Sequence, residues 1–333
     1  MSRRSPPGTR RRCTAGRASL CLVALPALLV APVTLEGQDP DPLGNGPREG
    51  SEFKVYDRDG GVSSFGAILD AATGTEVLLI GEEHDDAIGH ALELGVLVGA
   101  WERLSDVAET RQRHLVLSLE MFEQDVQYVL DEYLAGLISE EHFVSSARAW
   151  ESYGASHRPL VEFAKAHGVP VLAANAPRRY VNRVASLGPE ALLSLSPLAR
   201  SFLPPLPYPG PSERYRAEWE RVMSQGAQTD SADAHGHVLN PYAIDAQALW
   251  DASMAYVIAG ALMRDLGALV VHVAGSFHVS RETGIPERIA DYRPGTRVTS
   301  LVIAKAEDVD AWSESDHSGL ADFVVLTATR ARG

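Results

Sequence analysis

The stretch Glu76-Val77-Leu78-Leu79-Ile80-Gly81-Glu82-Glu83-His84-Asp85-Asp86 constrains this chain more than any other. A short apolar run that breaks at a glycine and at once delivers carboxylates and an imidazole reads as a buried strand emptying into a polar turn. The same grammar recurs along the chain. Residues 115–119 form a second apolar run, ending at Glu120-Met121-Phe122. Residues 169–173 form a third, closed by Asn175 and Pro177, and residues 268–274 a fourth, ending at Gly275-Ser276-Phe277-His278.

Helical patterns separate these runs. Leu94, Leu97, Val98, Trp101 and Leu104 fall at helical spacing after the first, with Asp85 or Asp86 placed to cap the turn, Asp85 being the expected cap, and His90 on the same stripe. Trp250, Met254, Val257, Ile258, Ala261 and Leu262 form one face of a helix before the fourth. Residues 53–56 suit an edge strand, Ser64 caps a short helix, and residues 297–303 and 323–327 offer two more strands. Strand alternating with helix predicts an α/β fold, a mainly parallel sheet flanked by helices. Residues from about 183 to 242 break that rhythm, being proline-rich over 196–211 and helical over 213–224; they are expected to form a helical accessory insertion near the sheet mouth.

With 333 residues, 45% of them apolar, the chain can bury one large core, expected over 51–333. The formal net charge is −14, and six arginines precede the first acid, Glu36, so the body is more acidic still. That argues against nucleic acid, which needs a basic footprint, and against an anionic membrane surface. Residues 1–37 have the layout of a signal peptide: an arginine-rich start, an apolar segment over 20–33, then a polar stretch, with 38–50 a linker. Pro26 and Pro32 leave that segment too short and interrupted to span a bilayer, so export to the periplasm or cell envelope is expected, with no membrane span in the mature chain. Cys13 and Cys21 both lie in the leader, without a clear lipobox. A mature chain without cysteine has no disulfide, no thiolate metal site and no covalent haem attachment.

In open parallel sheets the ligand crevice lies beyond the carboxyl ends of the strands. Glu82, His84, Glu120, Asn175 and His278 are therefore expected to converge. Two of these ends share the form Gly-x-x-His, and glycine fits a tight exit from a sheet. Singly, a histidine after a strand is more often a hydrogen-bonded structural residue, and Glu120 could equally cap a helix; the conjunction is what points to a site. Imidazole and carboxylate suit Zn, Mn or Fe, so Glu82, His84, Glu120 and His278 could hold a divalent metal, and a carboxylate beside metal-bound water could act as base in hydrolysis. The His-x-x-x-His metalloprotease spacing, the Gly-x-Ser-x-Gly elbow and the phosphate-binding loop motif are absent.

The ordered set Gly81-Glu82-x-His84-Asp85 with His90, Leu119-Glu120-Met121-Phe122, Trp150, Arg158-Pro159-Leu160, Ala173-Ala174-Asn175, Ala246-Gln247 with Asp251 and Met254-Ala255, and Ala274-Gly275-x-x-His278 with Gly284 resembles the ChaN-type haem-binding proteins of the Tiki superfamily. The resemblance implies an exported α/β protein that binds haem noncovalently and serves iron uptake, with a homodimer among the expected assemblies. It also implies a distant kinship with metal-dependent hydrolases that use the same Glu and His positions. His84, His90, Asn175 and His278 would then shape the haem pocket. Haem in the family is thought to be held by tyrosine, for which Tyr242, Tyr208, Tyr215 and Tyr180 are candidates here, with His235 and His237 as rivals. Arg178 and Arg179 follow a strand end and could pair the propionates.

Overall fold

The computed structural model describes residues 43, 46–105, 113–226 and 240–329. The expected leader over 1–37, and His235 and His237, lie outside the described residues. The apolar runs become strands β1 (Phe53–Asp57), β2 (Val77–Glu82), β3 (Leu115–Glu123), β4 (Val171–Asn175), β5 (Leu269–Gly275), β6 (Val298–Ala306) and β7 (Phe323–Ala328). They form one seven-stranded sheet in the order β1-β7-β6-β2-β5-β3-β4. All neighbours are parallel except β1, which pairs antiparallel with β7 at the edge. β2 and β5 are buried along their whole length, as continuous apolar runs in a sheet covered on both faces should be.

Period-two alternation sorts the strand residues between two cores. Leu78, Ile80, Leu117, Leu119, Val271 and Val273 face helices α1 (Phe65–Gly74), α2 (Ala87–Ser105), α3 (Gln127–Leu134), α4 (Glu140–Ser146) and α5 (Arg158–His167). Val77, Leu79, Val116 and Val270 face the opposite way. Between β4 and β5 run α6 (Arg178–Leu187), α7 (Pro197–Arg200), α8 (Glu213–Gly226) and α9 (Ala243–Arg264), with α10 (Ile285–Tyr292) after β5. Met254, Ile258 and Leu262 of α9 and Ile285 and Ile289 of α10 cover that second face. A third, smaller core joins Val181 and Val184 of α6, Tyr215 of α8 and Leu249 of α9.

Two local expectations change. β3 continues through Glu123, so Glu120-Met121-Phe122 belongs to the sheet instead of following it; Met121 and Phe122 are buried and prolong the apolar run. The first turn of α2 is capped by Asp86, not Asp85: Asp86 Oδ1 accepts from the Ile88 N–H at 3.0 Å while Oδ2 accepts from the Thr327 hydroxyl at 2.5 Å. Asp85 turns to solvent and pairs with Lys305 at 2.6 Å. Ser64 does cap α1, accepting from the Ala67 N–H at 3.2 Å. Among the described residues no helix is long and apolar enough to cross a membrane.

Candidate functional site

The alternation along β2 decides where its end points. Leu78 and Ile80 face α2 and α5, and Glu82, two residues on, points the same way and is buried. There it meets imidazoles from three places. His84 folds back after the strand to set Nδ1 2.7 Å from Glu82 Oε1. His157, the residue before α5, brings Nε2 to 3.3 Å from both carboxylate oxygens, and His90 of α2 brings Nε2 to 3.4 Å from Oε2. Burial would push the Glu82 carboxyl up, but the hydrogen bonds from His157 and His84, with the His90 ring close by, outweigh it and hold the group well below the usual carboxylate range. Its partner effect is on His84, whose pKa is raised by that same hydrogen bond. Glu93, one turn along α2 from His90, is fully buried, and its burial pushes the carboxyl well up.

A second carboxylate–histidine pair stands at the end of β5. His278 sets Nδ1 2.6 Å from Asp251 Oδ1 of α9, and Asp251 Oδ2 accepts from the Tyr215 hydroxyl at 2.5 Å. The other ring nitrogen of His278 lies 3.1 Å from Gln247 Nε2 and 3.6 Å from Glu120 Oε1. Burial opposes the charged imidazole, yet the Asp251 and Glu120 charges prevail and raise its pKa to about 9. His272, one layer down in β5, is instead lowered to about 3 by burial and bonds Ser118 at 2.9 Å, a structural histidine.

Gly275 joins the two halves. It pairs in register with Glu82, and its N–H donates to Glu120 Oε2 at 2.7 Å. A Cβ at this position would lie 3.2 Å from His84 Cε1 and 3.7 Å from Glu120 Oε2, so the bare backbone lets the His84 ring rest across the strand end. The ring is about half exposed (51%) and takes the edge of Trp150 at 5.1 Å. Above it opens a cleft of about 710 Å³ lined by Glu82, His84, Glu151, Gln247, Phe277 and His278 among others. A carboxylate on Nδ1 fixes the tautomer that leaves the lone pair on Nε2, the arrangement of a histidine able to ligate a metal or move a proton.

The expected residues are therefore distributed as follows. Glu82, His84, Glu120 and His278 meet where β2, β3 and β5 end, although the ligand atoms that gather within 4.8 Å of one another belong to Glu82, His90, Glu93 and His157. Asn175 ends β4, buried, with Oδ1 unbonded. Arg178 is exposed at the start of α6, and Tyr242 is 40% exposed just before α9, its ring 3.2 Å from the place a Gly188 Cβ would occupy. The other tyrosines have engaged hydroxyls: Tyr208 donates to the Asp245 carbonyl, Tyr215 to Asp251, and Tyr180 accepts from Arg179. Arg179 pairs with Asp125 at 2.5 Å. No sequence pattern marks His157 or pairs Asp251 with His278; only Glu93, three residues from His90 on one helix face, carries a readable signal.

Comparison with known proteins agrees with this architecture. A solved structure titled for cofacial heme binding to ChaN of Campylobacter jejuni superposes with a TM-score of 0.60 at 17% identity, covering 84% of this chain and 98% of that one. A mutant of the erythromycin esterase EreC in its open conformation aligns at 0.47 and 10% identity over 84% of this chain and 98% of that one. The type III effector HopBA1 aligns at 0.43 and 12% over 80% and 94%. No curated protein matches the sequence. Residues 68–289, from α1 through α10, match the family described as haem-binding uptake, Tiki superfamily, ChaN, and the chain belongs to that family.

Proposed function

We propose that this protein binds haem noncovalently in the cleft beyond β2 and β5, in the service of haem or iron acquisition. The observation that carries the reading is His84: within a chain of the haem-binding uptake family it is half-exposed, edge-on to Trp150, and held through Nδ1 by a buried carboxylate. Histidine and tyrosine are both axial ligands of haem iron. His84 fits that role, His278 and Asn175 shape the floor, and His90 supports from behind Glu82. Tyr242 is the tyrosine that would supply a ligand from the segment over 183–242, proposed to cover the mouth, and the exposed Arg178 would pair a propionate. Bound haem would bring a Lewis-acidic iron that takes an imidazole or phenolate; the chain's part is to orient that ligand and wall off water.

Titrating haem into the purified protein should give a saturable Soret shift that His84→Ala weakens at least tenfold and Tyr242→Phe alters in position. Unsaturable binding, equal in wild type and His84→Ala, would refute the assignment. The leader over 1–37 is proposed to direct export, which the intact mass of protein recovered from the cell envelope reads directly.

A second reading is favoured by the paired dyads, His84 with Glu82 and His278 with Asp251, facing Glu120: a metal-dependent hydrolase using Glu82, His84, Glu120 and His278. Ester or peptide hydrolysis that survives both His84→Ala and His278→Ala would remove it.

A further inference from the structure

We propose that Glu82, His90, Glu93 and His157 form a buried divalent-metal site behind the cleft, sharing only Glu82 with the strand-end group around His84, Glu120 and His278, and that it takes Zn²⁺, Mn²⁺ or Fe²⁺. The four residues come from three elements, β2, α2 and the entry to α5, and are all buried. One ligand atom from each lies within 4.8 Å of the others.

Their spacing already suits an ion. Metal–ligand bonds of about 2.0–2.2 Å put the corners of a tetrahedron roughly 3.4 Å apart, and the Glu82 oxygens stand 3.3 Å from His157 Nε2 and 3.4 Å from His90 Nε2. Those separations are long for hydrogen bonds and short for two unrelated groups.

The cluster also holds polar atoms that nothing satisfies. His90 Nε2 and both oxygens of Glu93 are buried without a hydrogen-bond partner, on residues the rest of the fold could have made apolar. Buried polar atoms without partners are rare, and a carboxyl at 0% exposure is among the costliest. A cation between them would engage all of these atoms at once. His90 and Glu93 are three apart on one helix face, the i, i+3 pairing by which helices present an imidazole and a carboxylate to a common metal. Two imidazoles and two carboxylates without thiolate select Zn²⁺, Mn²⁺ or Fe²⁺. Four protein ligands in a closed pocket make a structural site, with no open position for substrate. Glu82 is the shared wall: its Oε1 holds His84 Nδ1 at 2.7 Å, so the ion would fix the residue that orients the cleft histidine.

The test uses the full chain purified without chelator. Elemental analysis is expected to find one divalent ion per chain, and Co²⁺ added to chelator-stripped protein should give the intense visible bands of a four-coordinate site. Glu93→Gln should weaken cobalt binding at least about 100-fold, more than the loss of an outer-shell partner costs, while His278→Ala should leave it unchanged. An ion that is absent and cannot be restored, or one lost in His278→Ala and kept in Glu93→Gln, overturns the proposal. Should Glu93→Gln not fold, the position of the anomalous-scattering peak in crystals of metal-loaded wild type decides: beside Glu93 and His157 for the proposal, beside His84 and His278 against it.

Discussion

Replacing Asp251 by Asn should remove most of the pH dependence of stability that His278 imposes. In the folded protein burial opposes the charged imidazole, but Asp251, whose Oδ1 lies 2.6 Å from Nδ1, and Glu120 raise its pKa from the ordinary 6.5 to about 9. Each tenfold gain in proton affinity is worth about 1.4 kcal/mol, so the folded state gains about 3 kcal/mol from holding this proton. The sign follows from the direction. A group whose folded pKa is raised contributes fully below its unfolded value and nothing above its folded one, so this term is complete below about pH 6.5 and lost by about pH 9 to 9.5. Asn cannot supply the charge, and breaking the buried pair should cost about 3–5 kcal/mol near pH 6.5. Urea unfolding of metal- and haem-free wild type and Asp251→Asn at half-unit pH steps reads the difference directly. The gap between the two should narrow by about 3 kcal/mol from pH 6.5 to 9.5. A gap that stays constant across that range would mean that Asp251 does not raise the His278 pKa and would refute the electrostatic account of the second dyad.

Other perturbations follow from the same geometry. Tyr215→Phe deletes the 2.5 Å hydroxyl bond to Asp251 in a fully buried position and should cost about 1–3 kcal/mol by urea unfolding while leaving the fold intact. Gly275→Ala places a methyl 3.2 Å from the His84 ring; it should turn that ring and weaken haem binding severalfold, with little loss of thermal stability. Gly284 has φ +61°, and a Cβ there would lie 2.6 Å from the His278 carbonyl oxygen and 2.9 Å from Asp251 Oδ1, so Gly284→Ala should lower stability by more than about 1 kcal/mol and disturb the His278–Asp251 pair, visible as a changed histidine resonance.

Much of the sheet was legible because β2, β3, β4 and β5 are apolar runs long enough to be strands and short enough not to be helices. The edge strand β1 and the helix entry at Ser64 were readable for local reasons, a short alternating run and a capping side chain. The two Gly-x-x-His ends announced the site, since glycine and histidine together have little use in a strand interior. What could not be read was pairing in depth. That Asp251 belongs to His278 depends on how α9 lies over β5, and that His157 belongs to Glu82 depends on where α5 begins in space; neither distance is encoded in periodicity. Choosing between adjacent aspartates failed for a similar reason: Asp85 and Asp86 have equal capping propensity, and the buried Thr327 hydroxyl decides between them. Glu93 escaped notice because an acid in an amphipathic helix is ordinarily a solvent-facing one, and only the packing of α2 onto the sheet turns it inward.

The order of strands in the sheet governs when the site can come into being. β2 is flanked by β5 and β6, so Val77 must find Val270 on one side and Val298 on the other. A chain emerging from the ribosome exposes both unpaired edges of β2, with Glu82 and His84 at its tip, until nearly all of its length has been made. Contacts so distant in sequence close slowly and leave strand edges open to wrong partners in the interval. The cleft is thus among the last features to be completed, and any truncation before β5 removes not a lobe of the protein but the wall on which His84 rests.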